Sequence, residues 1–92
     1  MNIIYRIHAI QRMFERSIST EDVRLVIQNG ETIESYSDDL PYPSRLLLGW
    51  RKNRPLHIVV ADNLEESEII VITVYEPDPT KWDREYRRRR LL

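Results

Sequence analysis

The chain has 92 residues, a formal net charge of −1 and no cysteine. A chain of this length forms one small domain with a single core, and the lack of cysteine excludes disulfides, a thiolate nucleophile and a cysteine-based zinc site. No apolar run approaches the roughly 18 residues of a membrane helix, and the first ten residues carry charge where a signal peptide needs an apolar segment. We therefore expect a cytoplasmic protein, and two histidines without metal-ligand spacing lead us to expect neither a metal nor another cofactor.

The charge is divided unevenly along the chain. Residues 81–92 hold six basic and two acidic residues, net +4, whereas residues 1–80 hold eight basic and thirteen acidic residues, net −5. An acidic body argues against general binding of nucleic acid, which depends on neutralising many phosphates. The basic end contains the run Arg87, Arg88, Arg89 and Arg90. This run is either a local binding segment for a phosphate or a partner, or a solvated tail, which is the usual fate of a terminal charge run.

A short strand at 2–5 and a helix from about Arg6 to Arg16 are predicted at the start of the chain. Ile7, Ile10 and Phe14 recur at helical spacing, so we expect them to form the buried stripe of this helix. The first helix is followed by an interruption at 17–19.

A second helix is predicted from Ser19 or Thr20 to Asn29. The stretch Ser19-Thr20-Glu21-Asp22 places a capping serine or threonine ahead of acidic first-turn residues, which is typical of a helix start, and Asn29-Gly30 suits a left-handed cap at the end. The two helices are close enough in sequence to form a helical hairpin.

Four strands are predicted in the rest of the chain, at 31–36, 45–51, 56–61 and 69–75. The short joins between the last three indicate antiparallel neighbours. We therefore predict a two-layer α+β domain over residues 1–80, with the helical hairpin packed on one face of a four-stranded antiparallel sheet. The order is α-α-β-β-β-β, with or without the short N-terminal strand. Residues 81–92 are expected to be a basic tail or a short helix docked by Trp82 and Tyr86.

Alternation sorts the last three strands into two faces. The apolar face is expected to contain Leu46, Leu48, Trp50, Leu56, Ile58, Val60, Ile70, Ile72 and Val74. The other face collects Arg45, Arg51, His57, Thr73 and Tyr75. Cations and proton-transfer groups on one face of a sheet indicate a functional site. The alternative is a solvated face, because antiparallel sheets often leave one side wet.

The first helix carries a basic stripe, since His8, Arg12 and Arg16 lie four residues apart. One interpretation is a solvated helix face with a local Glu15 ion pair. The other is a surface that binds an acidic partner or a phosphate.

Three stretches resemble a known family: 8–16, 18–23 and 72–75, the last reading Ile72-Thr73-Val74-Tyr75. They resemble a bacterial family of small domains of unknown function, DUF4258, which looks like a distant branch of the RelE/ParE toxin superfamily. The resemblance covers about residues 5–79. It implies the toxin component of a type II toxin–antitoxin system and a cognate antitoxin as partner, often a small zinc-finger protein. RNA or the ribosome would be the target, although some superfamily members act on gyrase instead.

The activity that this resemblance implies is metal-free RNA cleavage, in which a ribose 2′-hydroxyl attacks the adjacent phosphate. Such chemistry needs a base, an acid and cations for the charge that grows on the phosphate. The first-choice residues are His57, Tyr75, Arg45 and Arg51. The second-choice pair, carried over from the helix motif, is His8 and Arg12.

Two other interpretations compete with the enzyme. The chain is alternatively a non-catalytic binding module, in which the basic stripe that includes Arg16, the polar sheet face or the arginines at 87–90 dock an acidic protein partner. A third alternative is a homodimer paired through a sheet edge or the aromatic tail.

Overall fold

A computed structural model describes residues 2–91 as one sheet with two helices on one face. The elements, in chain order, are β1 Asn2–Tyr5, α1 Ile7–Glu15, α2 Thr20–Asn29, β2 Glu31–Tyr36, β3 Ser44–Arg51, β4 Arg54–Asn63 and β5 Glu68–Tyr75. The α+β class and both helices are as predicted. Met1, in the predicted domain, and Leu92, in the predicted tail, lie outside the described residues.

The sheet has five strands and is mixed, so the prediction of a four-stranded antiparallel sheet is wrong in this respect. The strand order is β1-β5-β4-β3-β2, and only β1 is parallel to its neighbour. Ile3 and Ile4 of β1 pair with Ile69 and Ile70 of β5. Strand β4 pairs with one edge of β5, so the backbone N–H and C=O groups on the other edge of β5 need hydrogen-bond partners. Strand β1 provides partners along the first half of that edge.

The first helix buries a different side from the predicted one. Ile7, Ile10 and Phe14 are 75%, 51% and 88% exposed, whereas Ala9 and Met13 are 0% and 5% exposed. The small Ala9 side chain permits α1 to approach the sheet closely, and the flexible Met13 fills the space one turn later. The predicted buried stripe of α1 therefore faces solvent.

The second helix begins as predicted and ends differently. Ser19 accepts a hydrogen bond from the backbone N–H of Asp22, and the Asp22 carboxylate accepts one from the backbone N–H of Ser19. Gly30 at the other end has φ −74° and is extended, not left-handed. Glycine is needed there for space, since a Cβ atom would lie 2.6 Å from the Val26 carbonyl oxygen and 2.7 Å from that of Leu48.

The core lies between the helices and the sheet, and β3 contributes the side opposite to the predicted one. Leu47 of β3 pairs with Ile58 of β4 and joins the core cluster with it. Gly49, on the same face as Leu47, lets α2 approach, because a Cβ atom there would lie 2.6 Å from the Val26 side chain. Leu46, Leu48 and Trp50 consequently lie on the far face of the sheet, so the predicted core face is wrong for β3.

The last strand changes face part-way along its length. Val59 pairs with Thr73, but Val60 pairs with Val71, so Ile72 is an extra residue at a bulge. Val74, after the bulge, lies in the core as predicted. Before the bulge, Val71 lies in the core, whereas Ile70 and Ile72 were predicted there. Strand β4 buries Leu56, Ile58 and Val60 as expected.

The residues after β5 fold back across the far face of the sheet. We call residues 77–91 the C-terminal strap. Trp82 is 2% exposed and forms a bridge with Arg89, and the Arg90 N–H donates to the Lys81 carbonyl at 2.8 Å. The described part of the strap contains turns and no helix, so Trp82 docks it without the predicted terminal helix.

Neither α1 nor α2, at nine and ten residues, is long enough to cross a membrane, and the structure describes no other helix within residues 2–91.

Candidate functional site

The structure separates the four first-choice residues into two pairs on opposite faces of the sheet. Leu48, not an arginine, is the cross-strand neighbour of His57, so Arg45 and Arg51 on β3 point to the helix side. The expected grouping of Arg45, Arg51, His57 and Tyr75 around one phosphate is therefore wrong. The physical reason is the pairing register of β3 and β4, which alternation within single strands does not determine.

Both arginines of β3 have carboxylate partners. The Arg45 guanidinium donates to Asp62 through Nε at 2.9 Å and Nη2 at 3.2 Å. Arg51 Nε donates to Asp22 Oδ1 at 3.0 Å, so it connects the end of β3 to the start of α2. The backbone hydrogen bond from Ser19 and the guanidinium of Arg51 lower the pKa of Asp22. These contacts give Arg45 and Arg51 a role in holding the fold.

His57 and Tyr75 are cross-strand neighbours under the strap. His57 Nδ1 lies 3.2 Å from Tyr75 Oη, and His57 Nε2 lies 2.8 Å from the Tyr86 carbonyl oxygen. The His57 ring is 0% exposed and its centroid lies 4.4 Å from that of Trp82. Burial lowers the pKa of His57 and raises that of Tyr75. His57 therefore has no open path to a substrate, whereas Tyr75 is only half-buried.

His57 is expected to make the protein less stable in mildly acidic solution. Its folded pKa lies below the unfolded value of about 6.5, so below that pH the unfolded chain binds the extra proton. The free energy of unfolding should therefore fall with decreasing pH, by up to about 1.4 kcal/mol per pH unit, until the folded pKa is reached.

Urea titrations between pH 7 and 5 measure this dependence, which His57→Gln should remove and His8→Ala, at an exposed histidine, should keep. An unchanged slope in His57→Gln would contradict the assignment. Asp22, Asp78 and Asp83 have pKa values lowered from 3.8, so their titration falls below this pH window.

A cavity of about 420 Å³ lies at the end of β5, between α1 and the strap. We call it the α1–strap groove. It begins where β1 ends, since β1 covers β5 only as far as Val71. Its lining combines the basic stripe of α1, the last residues of β5 and the start of the strap. These residues are His8, Arg12, Arg16, Thr73, Tyr75, Glu76, Asp78, Lys81, Trp82 and Arg89.

The groove brings the second-choice pair together with one first-choice residue. His8 and Arg12 come from the helix motif and Tyr75 from the predicted sheet site, and all three line the groove. Arg16 and Arg89, predicted to bind a partner or a phosphate, complete this set. The sequence indicated three candidate surfaces: the helix stripe, the sheet face and the arginine run. Each of them contributes some of its residues to this one cavity.

The groove is basic although the body of the chain is acidic. Arg12, Arg16, Lys81 and Arg89 line it against two carboxylates, those of Glu76 and Asp78. The Glu76 carboxylate pairs with Arg54. Arg12 lies 3.7 Å from Glu15 in an exposed pair, which is worth little in water. Cationic donors are therefore available to an anion in this groove.

Arg89 occupies a defined position at the groove. Its guanidinium carbon lies 4.8 Å from the centroid of the Trp82 ring, the distance of a cation–π contact. Trp82 is itself fixed by burial against His57. The strap thus holds one groove arginine in place without neutralising its charge.

Two other arginines of the terminal run, Arg87 and Arg90, have side-chain partners outside the groove. Arg87 Nε donates to Glu31 at 2.7 Å and Nη1 to Glu85 at 2.7 Å, beside a second cavity of about 470 Å³ next to Trp50. Arg90 Nε donates to the Pro79 carbonyl at 2.9 Å. The backbone carbonyl of Arg88 accepts from the Asp83 N–H at 2.8 Å. Arg87 and Arg90 therefore do not join Arg89 in one phosphate-binding cluster.

Sequence reasoning missed Arg54, which positions two walls of the groove. Its guanidinium donates to the carbonyl oxygens of Arg16 and Ser17 at the end of α1, and to the Glu76 carboxylate at the end of β5. Such contacts satisfy the free carbonyls of a helix terminus. The sequence signal was weak, because Arg54 lies in a predicted turn. It instead begins β4.

One family model matches the chain, over residues 5–76, and its description is Domain of unknown function (DUF4258). The chain belongs to the DUF4258 family. The match spans α1, α2 and all of β2 to β5, and it includes His8, Arg12, Arg16 and Tyr75 of the groove. Searches of curated proteins and of solved structures found no match. DUF4258 membership confirms the family that the helix motif indicated.

Proposed function

We propose that this DUF4258 protein is the toxin component of a type II toxin–antitoxin system, similar to RelE/ParE proteins, and that it cleaves RNA in the α1–strap groove. The observation that carries the proposal is the composition of this single cavity: an imidazole, a phenol and four cationic side chains. These are the groups that metal-free 2′-hydroxyl attack requires, since a proton must be taken, a proton must be given and negative charge grows on the phosphate.

Each wall of the groove has a share in the proposed chemistry. His8 on α1 and Tyr75 on β5 supply the two proton-transfer groups. Arg12 on α1 and Arg16 just after it, with Lys81 and Arg89 on the strap, hold the phosphate from two sides. Forked guanidinium donors suit a phosphate whose charge increases during the reaction. Arg45, Arg51 and buried His57 make no contact with the substrate in this scheme.

The proposal is tested with labelled RNA, incubated with purified protein alone and with translating ribosomes. Attack by the 2′-hydroxyl leaves a 2′,3′-cyclic phosphate on the upstream fragment and a 5′-hydroxyl on the downstream one. We expect these termini, unchanged by a chelator. Intact RNA with folded protein in both assays, or fragments with 5′-phosphates, would contradict the assignment.

A second candidate function is docking of an acidic protein partner, and the exposed stripe Ile7, Ile10 and Phe14 favours it. Three large apolar side chains on one side of α1 form the kind of patch that marks a protein contact. The same helix carries His8 and Arg12 and is followed by Arg16, with Glu15 as its only acidic residue. A second copy of this helix would bring like charges together, so the proposed occupant is an acidic amphipathic helix of the antitoxin.

Binding to the cognate antitoxin distinguishes this surface from others. Phe14→Ser should weaken the affinity by about tenfold or more, as expected for an apolar anchor in an interface. Leu40→Ser is the matched control, because Leu40 is 91% and Phe14 88% exposed. Equal affinities of both variants would remove α1 from the interface.

A further inference from the structure

Tyr75 and buried His57 form a pair whose hydrogen-bond directions are fixed by the strap. A backbone carbonyl can only accept, so His57 Nε2, 2.8 Å from the Tyr86 oxygen, carries the proton of the neutral imidazole. His57 Nδ1 then has a free lone pair. Since Tyr75 Oη lies 3.2 Å from Nδ1, the Tyr75 hydroxyl is the donor in this contact.

This direction determines what Tyr75 can offer to the groove. Its one proton is engaged with His57, so the lone pairs of its oxygen are what remain for a substrate. Tyr75 therefore faces the groove as an acceptor of protons, whereas the residue type alone suggests a donor.

We infer that His57 is a positioning residue that makes Tyr75 the proton acceptor of the groove and leaves the donor role to His8. The inference rests on the proposed function. Tyr75 touches the substrate, and His57 acts only through Tyr75.

The proton transfers balance as follows. The 2′-oxygen forms its bond to phosphorus while its proton passes to Tyr75 Oη. The phenolic proton of Tyr75 passes to His57 Nδ1, and Tyr75 stays neutral. The bond from phosphorus to the 5′-oxygen breaks, and the leaving oxygen takes a proton from protonated His8. His57 ends as an imidazolium and His8 as a neutral imidazole. The proton on His57 Nδ1 then returns through Tyr75 Oη to solvent in the groove, and His8 takes up a proton from solvent directly, which resets both residues.

The surroundings of His57 are suited to accepting a proton for a short time only. Burial is the largest effect and lowers the pKa of His57; the hydrogen bond to the Tyr86 carbonyl and the Glu34 carboxylate favour the charged ring, and Arg89 opposes it. Trp82 covers the ring and excludes water from it. Because burial outweighs the effects that favour the charged ring, the resting imidazole is neutral. Only a neutral His57 can take the proton that Tyr75 passes on.

The first arm of the test is the tautomer of His57 in the wild-type protein without RNA. Nitrogen-15 NMR of the imidazole at pH 7.5 should show a proton on Nε2 and none on Nδ1. Tyr75→Phe should shift the Nδ1 resonance, because the hydrogen bond to it is lost, and leave Nε2 protonated. A proton on Nδ1 in the wild type overturns the inference, whether or not RNA is cleaved.

The second arm is cleavage by two conservative variants. His57→Gln keeps a donor for the Tyr86 carbonyl and His57→Asn keeps an acceptor for Tyr75, but neither can take up a proton. In both, kcat should fall by about 10²-fold or more with KM within about threefold, as expected for lost acid–base catalysis. The acidic limb of the wild-type pH profile, which reports neutral His57, should disappear.

The failures of the two proposals are distinguishable. If the wild type cleaves RNA and a folded His57 variant keeps both the rate and the acidic limb, the inference is wrong and the proposed function stands. If the wild type cleaves no RNA in any assay, the proposed function fails and the inference fails with it, whatever the tautomer.

Discussion

His8→Ala is expected to lower the rate of RNA cleavage by about 10²- to 10⁴-fold, the usual contribution of a general acid or base. His8 is exposed on α1 and lines the groove, so its loss removes the proton donor of the leaving oxygen without opening a cavity in the core. Rates under single-turnover conditions, with the melting temperature of each protein, measure this effect.

The control for His8→Ala is Gln11→Ala, an exposed residue of α1 outside the groove. It should keep the wild-type rate within about twofold, since surface changes away from a site have small effects. A His8→Ala rate within threefold of the wild type, in a folded protein, would exclude His8 from the chemistry.

Trp82→Ala is expected to destabilise the protein by about 3–5 kcal/mol, the range for removing a large buried aromatic side chain. Trp82 is 2% exposed and contacts both His57 and Arg89. Its loss uncovers the far face of the sheet and releases the strap. Because Lys81 and Arg89 lie on the strap, the groove should lose half of its four cations together with the stability.

Urea unfolding of Trp82→Ala and Trp82→Phe measures this contribution. The phenylalanine variant keeps most of the apolar volume and should lose clearly less stability than alanine. Leu91→Ala is a control on the same strap, because Leu91 is 99% exposed. A loss below about 1 kcal/mol in Trp82→Ala would show that the strap is not held by this side chain.

Much of the fold could be predicted from local pattern. The Ser19–Asp22 capping box predicted where α2 begins, and alternation with turn residues gave the positions of β2 to β5 to within two residues at each end. Such signals are local, so one sequence contains them. The faces of the strands are a different matter, because they depend on which residues become neighbours.

Register and bulges explain the errors in the sheet. Alternation within β3 is compatible with either face, and the approach of α2 over Gly49 selects the one that contains Leu47. The bulge at Ile72, opposite Val59 and Val60, then shifts the first half of β5 to the other face. Gly49 indicates a close approach but not the face on which it occurs, and the bulge has no distinctive residue, so Arg45 and Arg51 were assigned to the wrong side.

The helix α1 shows a second limit of sequence patterns. Ile7, Ile10 and Phe14 have the spacing of a buried stripe, yet α1 packs through Ala9 and Met13. Periodicity identifies an apolar side but cannot tell burial in the core from exposure at a contact surface. Of the residues that line the groove, His8, Arg12, Arg16, Tyr75 and Arg89 were candidates from the sequence, but their grouping in one cavity and the structural role of Arg54 were not predicted.

The most direct test of the groove compares two arginines in similar helical settings, one inside the groove and one outside it. Arg12 and Arg24 each lie on a helix, each have a side chain that is 43% exposed, and each form an i,i+3 pair with a glutamate. Arg12 lines the groove and Arg24 does not. The measurement is the single-turnover cleavage rate of Arg12→Ala and Arg24→Ala on the same RNA. We expect a loss of about 10²-fold for Arg12→Ala, the size typical of one lost charge-stabilising donor, and a change within about twofold for Arg24→Ala. Equal rates for the two variants would contradict the assignment of the α1–strap groove as the site.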